Sequence, residues 1–268
     1  MAFLALPGPF AFALSTERFR AFGVDRANVW HEGGLHRAVG AREVRIEAAP
    51  GGVDVEPLDA ETEPVVRTLL GFAFELEPFY SWAASDQVLR EVVPRLEGFR
   101  PPLTPDPFEM LVGAITAQQV SLFSAVAIRN RLIERYGRQT GEAWSFPTRG
   151  RVAAATEDEL FALGFSRRKA EYVVGLARSD LDLDGLVELP DEEVKARLVA
   201  LRGLGEWTAD WFLARHLARP HAWPWGDLAL RKAVADLYGG LDVRDARERF
   251  HPFENLSAHY LLLAQRIP

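Results

Sequence analysis

The chain has 268 residues, enough for one large or two modest domains with a substantial core. Apolar residues make up 48% of it and cysteine is absent, which excludes a disordered tail, a disulfide framework, a thiolate nucleophile and a four-cysteine iron–sulfur cluster. A formal net charge of −7 is unusual for a phosphate-binding protein, so any such contact must depend on local charge rather than on the sum.

The start, MAFLALPGPF, lacks a basic region and is interrupted by Pro7 and Pro9, so it does not read as a signal peptide. No apolar run reaches membrane-spanning length, and a cytoplasmic, nucleoid-associated location is expected. Residues 10–56 read as strands, with hairpin signals at Glu32-Gly33-Gly34 and Pro50-Gly51-Gly52. From Glu61 the pattern turns helical, through TEPVVRTLLGFAFEL and SDQVLREVVPRL, to a Pro-rich connector at 100–107. Asp106, Pro107 and Glu109 then have the spacing of a capping box, as do Thr156 and Glu159 before LFALGF. Ser121–Tyr136 is a further helix, and others follow near 226–238, 243–250 and 256–266. The fold class is α+β, a small β-rich N-terminal domain followed by an all-α body.

Residues 201–234, LRGLGEWTADWFLARHLARPHAWPWGDLALRKAV, carry the sharpest signal. DEEVKARLVA (191–200) is helical with acids in its first turn, Gly203-Leu204-Gly205 is a tight turn, and a second helix starts near Gly205. The two glycines allow positive φ and close backbone approach, and free N–H groups at the second helix start can hold a phosphate. About twenty residues on, Asp227 opens another helix. Read alone, it is an N-cap, and read alone the Gly-x-Gly is a helix end. Basic residues gather locally at Arg167, Arg168 and Lys169, at Arg202, and at Arg231 and Lys232, while acids concentrate at 56–63, 75–77 and 180–184.

In this order and spacing, LRGLGEWTAD, PWGDLALRKAV (224–234), FEMLVGAITAQQVS (108–121) and, more weakly, GFSRRKAEYVVGLA (164–177) resemble the helix-hairpin-helix DNA glycosylase superfamily. The similarity is greatest to its alkylbase branch, the 3-methyladenine DNA glycosylase II type, and covers roughly residues 100–265. The resemblance implies a two-lobed helix-hairpin-helix body with a cleft between the lobes. It divides the chain into 1–60 (β-rich domain), 61–103 (helices packing with the C-terminal lobe), 104–218 (central lobe with the hairpin) and 219–268 (C-terminal lobe with the catalytic aspartate). It implies a monomer acting on double-stranded DNA with damaged bases, outside the membrane.

The implied chemistry is base flipping followed by hydrolysis of the base–sugar bond, with Asp227 stabilising oxocarbenium-like charge and orienting water. Bifunctional relatives carry a lysine two positions after the second hairpin glycine; here that position is Trp207, so water is the expected nucleophile. Trp207 and Trp211, four apart on one helix face, and Phe253 are expected as pocket walls that stack on an electron-deficient base, with core packing as the alternative for the tryptophans. Gln118 and Gln119 match the turn that enters the minor groove, with Gln119 at the wedge position. Arg202, Gly203, Leu204, Gly205, Arg167 and Lys169 complete the expected DNA contacts. The resemblance also implies a monovalent cation on the carbonyls of Val199, Leu201 and Leu204; the six histidines show no metal-ligand spacing. A non-catalytic lesion-binding module and a glycosylase for oxidised purines remain as alternatives.

Overall fold

A computed structural model describes residues 1–267. The N-terminal domain is an antiparallel sheet of five strands, β1 (Ala2–Ala5), β2 (Asn28–His31), β3 (Gly34–Val39), β4 (Arg42–Ala49) and β5 (Gly52–Glu56), in the order β1-β5-β4-β3-β2. Both hairpins expected from the glycine signals form. His31 pairs with Gly34 across Glu32-Gly33, and Ala49 pairs with Gly52 across Pro50-Gly51. Glu32 and Gly33 take φ of 46° and 82°, the left-handed pair a tight two-residue turn requires. Along β4, Val44 and Ile46 are buried between partly exposed Glu43, Arg45 and Glu47, so one face of the sheet is core and the other meets water. The segment before β2 is not strand, as the sequence pattern suggested. It folds as two single-turn helices, α1 (Phe12–Ser15) and α2 (Arg18–Ala21), with Phe12 and Phe19 plugging the sheet core.

Three apolar cores organise the molecule. The first joins the sheet to α3 (Thr62–Leu69) through Val66, Leu69 and Leu70. α3 therefore belongs with the sheet, and only the later part of 61–103 packs with the C-terminal lobe. That part is α4 (Leu76–Ala83) and α5 (Leu89–Arg95), which share a core with α13 (Leu228–Leu237), α14 (Ala246–Arg249) and α15 (Glu254–Ala264) around Phe79, Leu230, Phe250 and Tyr260. The third core is the central lobe: α6 (Pro107–Ala117), α7 (Leu122–Tyr136), α8 (Arg149–Ala153), α9 (Glu157–Ala162), α10 (Arg167–Arg178), α11 (Asp191–Val199) and α12 (Glu206–Arg215). A small hairpin, β6 (Arg138–Thr140) and β7 (Ala143–Ser145), extends from α7. Among the described residues no helix is long and apolar enough to cross a membrane.

The capping boxes fare differently. Thr156 and Glu159 form both reciprocal bonds. Asp106 accepts from the Glu109 amide at 2.7 Å, but the Glu109 carboxylate turns away to pair with buried Arg37 of β3 at 2.7 Å. A second pair, Arg129 of α7 with Asp25 at 2.5 Å, spans the same junction. These bonds clamp the sheet domain onto α6 and α7 and close one side of a cavity.

Candidate active site

The hairpin forms between α11 and α12. Gly203 has φ of 92°, and a Cβ there would lie 2.1 Å from Cγ of the Tyr172 ring, so only glycine fits. Gly205 instead is extended, with φ of −110°, and caps α12; a Cβ on it would meet open space. The start of α12 is thus accessible, although only one of the two glycines uses the left-handed region. Gln118 donates its side-chain N–H to the Gly203 carbonyl at 2.9 Å, which ties the 118–121 turn to the hairpin. Gln119 is exposed, with a left-handed φ of 56°, and stands beside exposed Val120, Leu122 and Phe123. A non-glycine residue held in that conformation at a protruding tip is a strained feature of the kind that clusters at ligand clamps.

The expected basic contacts divide. Arg202 is 77% exposed and pairs with Glu171 at 2.7 Å, and Arg167 is exposed against Asp158 and the Phe161 ring. Lys169 is buried. Its Nζ donates to the Thr116 carbonyl at 2.9 Å, capping the end of α6, and burial lowers its pKa. It therefore offers no surface charge. Leu204 is buried under the hairpin.

Asp227 is the N-cap of α13. Its Oδ1 accepts from the amides of Ala229 at 2.9 Å and Leu230 at 3.0 Å. Its Oδ2 accepts from the indole N–H of Trp211 at 3.1 Å and Trp207 at 3.3 Å. Four donors from two lobes therefore fix one carboxylate. The loop before it is equally tied: the backbone N–H of Asn255 donates to the Pro220 carbonyl at 3.0 Å, and the Trp223 indole N–H donates to the Val243 carbonyl at 2.8 Å. The carboxylate faces a cavity of about 270 Å³ where the three cores meet. Trp207, Trp211 and Arg215 line it from α12, Met110 and Gly113 from α6, and Arg18 from the sheet domain.

Two expectations change. Trp207 and Trp211 do line the cavity, but their N–H groups are spent on Asp227. Trp211 is buried, with the Arg215 guanidinium 3.8 Å over its ring and His259 against its edge. Its indole N–H holds the carboxylate, and the guanidinium covers one face of its ring. Phe253 lies outside the cavity, because Phe79 and Trp82 of α4 hold its ring in the C-terminal core. Arg215 joins the two tryptophans at the cavity, since Trp207, Trp211 and Arg215 recur at four-residue spacing on one continuous helix face. No sequence signal marks Arg18. In the fold His221 and His251 meet at Glu254, with Nδ1 atoms 3.0 and 3.3 Å from its two oxygens. His221 is thirty-three positions from Glu254, so the sequence does not show it joining the nearby His251.

The chain has three lysines. Lys169 is capped, Lys195 pairs with Asp210 at 2.7 Å, and none of the three lines the cavity. The site thus holds a carboxylate but no amine positioned to attack a sugar.

The family model of the HhH-GPD superfamily base excision DNA repair protein matches residues 112–256, the segment that builds the hairpin and carries Asp227. Among curated proteins, the DNA-3-methyladenine glycosylase of Bacillus subtilis is 30% identical over 60% of this chain and 55% of its own length. DNA-3-methyladenine glycosylase 2 of Escherichia coli is 31% identical over 59% of this chain and 58% of its own. The chain thus spans little more than half the length of these curated relatives. The 3-methyladenine DNA glycosylase structure from Archaeoglobus fulgidus superposes with a TM-score of 0.89 at 28% identity, covering 100% of this chain and 99% of that one. A Clostridium acetobutylicum 8-oxoguanine glycosylase/lyase structure, at TM-score 0.82 but 19% identity, shares the fold. The α+β architecture, the hairpin and the matched segment agree: the chain belongs to the HhH-GPD superfamily of base excision DNA repair proteins.

Proposed function

We propose that this protein is a monofunctional DNA glycosylase that releases alkylated bases of the 3-methyladenine and 7-methylguanine type from duplex DNA. The observation that carries this reading is Asp227, held by four donors at the wall of a cavity about as large as a single base needs; pockets for drug-sized ligands begin at roughly 300 Å³. In this reading the target nucleotide swings out of the duplex into the cavity. The bond from C1′ to the base nitrogen breaks with its electron pair going to the base, and the fixed carboxylate stabilises positive charge on the sugar. Water adds at C1′ and gives up a proton to Asp227 or to solvent. Alkylation at a ring nitrogen makes the base cationic and its sugar bond labile, so this substrate class needs little further help.

The remaining contacts belong to the same reading. Gln119 enters the minor groove and fills the gap beside the extruded nucleotide, and Gln118 holds that turn against the hairpin. Amides at the start of α12, with Arg202 beside them, take a phosphate. Arg167 adds an outlying contact. The carbonyls of Val199, Leu201 and Leu204 hold a monovalent cation at the hairpin. Leu201 already accepts from the Leu204 amide at 3.1 Å and keeps its second lone pair, and neutral carbonyls suit a singly charged ion. The protein acts as a monomer on nucleoid DNA.

The test is single-turnover base release from duplexes bearing defined lesions. Release of 3-methyladenine that disappears in Asp227→Asn supports the assignment. Lesion binding without release by the wild type would make the protein a binding module instead. Release confined to oxidised purines would move it to that class.

A further inference from the structure

The cluster of His221, His251 and Glu254 stands apart from the cavity, and none of the chemistry above uses it. Glu254 opens α15 with its side chain only 4% exposed, while the two histidine side chains reach solvent at 45% and 65%. Nδ1 of His221 faces one carboxylate oxygen and Nδ1 of His251 faces the other. Among the described residues no lysine or arginine pairs with this carboxylate, so the two imidazoles are its only ionic partners. Two neutral rings give it hydrogen bonds but leave a buried negative charge uncompensated. Two charged rings set like charges face to face, because the imidazoles are stacked with centroids 5.1 Å apart and planes 17° from parallel. One divalent cation, bound by the carboxylate and both neutral rings, meets the charge and keeps the stack. The rival arrangement, one imidazolium beside one neutral ring, needs no ion and is a separate outcome of the titration below.

The geometry points to a binding site for a divalent transition-metal ion of the zinc type, ligated by Nδ1 of His221, Nδ1 of His251 and the carboxylate of Glu254. Two imidazoles with one carboxylate form a donor set for zinc, nickel or copper, whereas magnesium and calcium take oxygen donors. Zinc bonds of about 2.0–2.1 Å in a tetrahedron place neighbouring donors roughly 3.3–3.4 Å apart. The two nitrogen–oxygen separations, 3.0 and 3.3 Å, are close to that edge, and all three donor atoms lie within 4.8 Å of one another. The solvent-facing rings close the remaining gap by turning and give the ion a way in, and water completes its coordination. The carboxylate is held in place beforehand. Next to it, fully buried Asn255 donates its side-chain amide to the carbonyls of Ala214 and Arg219 at 3.1 and 2.9 Å, which fixes the start of α15 against the chain leaving α12. Position gives the ion its purpose. His221 sits on the loop between α12 and α13, six residues before Asp227, while His251 and Glu254 flank the entry to α15. The ion therefore clasps the loop that returns Asp227 to the cavity. Its role is structural, with no part in bond cleavage.

The test uses protein without a histidine tag, stripped with a chelator and dialysed free of it. Calorimetric titration with Zn²⁺ should show one ion per chain with a Kd of about 1 μM, weaker than zinc-finger sites because no thiolate takes part. Co²⁺ should give the visible absorption of a four-coordinate site. His221→Ala and His251→Ala, both at solvent-facing positions, should each weaken binding by about a hundredfold or more, since even a change outside the ligand shell costs roughly 10–100-fold. His31→Ala, which removes a solvent-facing histidine beside Glu32 in the sheet domain, should bind as the wild type does. At a hundredfold excess over Kd, Zn²⁺ should raise the thermal midpoint of the wild type by about 5–10 °C and leave that of the His221 and His251 variants where it was. No binding at tens of micromolar Zn²⁺ would make the cluster a hydrogen-bonded triad only and overturn the inference. Binding that survives either of those variants, binding lost in His31→Ala, or binding without stabilisation would overturn it as well.

Discussion

Asp227→Asn is the most informative single change, because the structure makes the cap and the catalytic role separable. Asparagine is as good an N-cap as aspartate. Here, however, all four groups around the side chain are donors: the amides of Ala229 and Leu230 on Oδ1 and the indoles of Trp207 and Trp211 on Oδ2. An amide has one oxygen, so its NH₂ must face one donor pair. Keeping the cap turns the NH₂ onto the indoles and removes two charge-assisted bonds of about 1.5–3 kcal/mol each, partly regained when partly exposed Trp207 turns to water. The expected loss of stability is about 1–3 kcal/mol. The loss in rate is larger. Removing a unit charge ~4 Å from the sugar at an effective dielectric of about 20 removes about 4 kcal/mol of transition-state stabilisation, roughly a thousandfold. Urea unfolding and single-turnover release of 3-methyladenine measure the two effects. Adding Trp207→Phe to Asp227→Asn takes away one facing donor, so it should restore stability without restoring rate. A single Asn variant within tenfold of the wild-type rate, or a double variant that recovers activity, would show that Asp227 is only a cap.

Borohydride reduction during turnover should trap no covalent adduct, and the abasic product should stay uncut, since none of the three lysines lines the cavity; a trapped wild-type adduct refutes this. Binding to undamaged and lesion duplex should weaken alike in Arg202→Glu, with a shallow salt slope in the wild type, because few cations and several amides meet the phosphates; selective loss of lesion binding contradicts the phosphate role. Acid should destabilise the fold through His259. Burial, with Arg215 and Arg18 nearby, holds its pKa well below the usual value, so the unfolded chain takes up a proton near pH ~6.5 that the folded chain does not. Its contribution is therefore complete above pH ~6.5 and is lost as pH falls below it, by up to about 1.4 kcal/mol per pH unit. His259→Phe should flatten that acid limb in urea unfolding between pH 7.5 and 5; an unchanged slope counts against the burial argument.

What the sequence determined by itself were the features with local causes. Glycine pairs between alternating apolar runs specify the two hairpins of the sheet, because tight turns need left-handed residues. Thr156 and Glu159 specify a capping box within four residues, and the Gly-x-Gly between two amphipathic segments specifies the helical hairpin. Asp227 was legible as a cap from composition, and as a candidate catalyst from its distance along the chain to that hairpin. Only the tertiary structure decided what the side chains face. Glu109 had the spacing to complete a box with Asp106, but a buried guanidinium from β3, seventy-two positions away, holds its carboxylate instead. Phe253 and Lys169 have the residue types of a pocket wall and a phosphate contact; packing put one in the C-terminal core and the other under α6. The tryptophans had the right spacing to share a face, yet whether that face would stack on a ligand or hold a carboxylate depended on where the loop from α12 to α13 returned. The periodicity of a chain fixes which side of a helix a residue occupies. Desolvation and pairing depend on elements far away in sequence, and those terms determine the chemistry of the cavity.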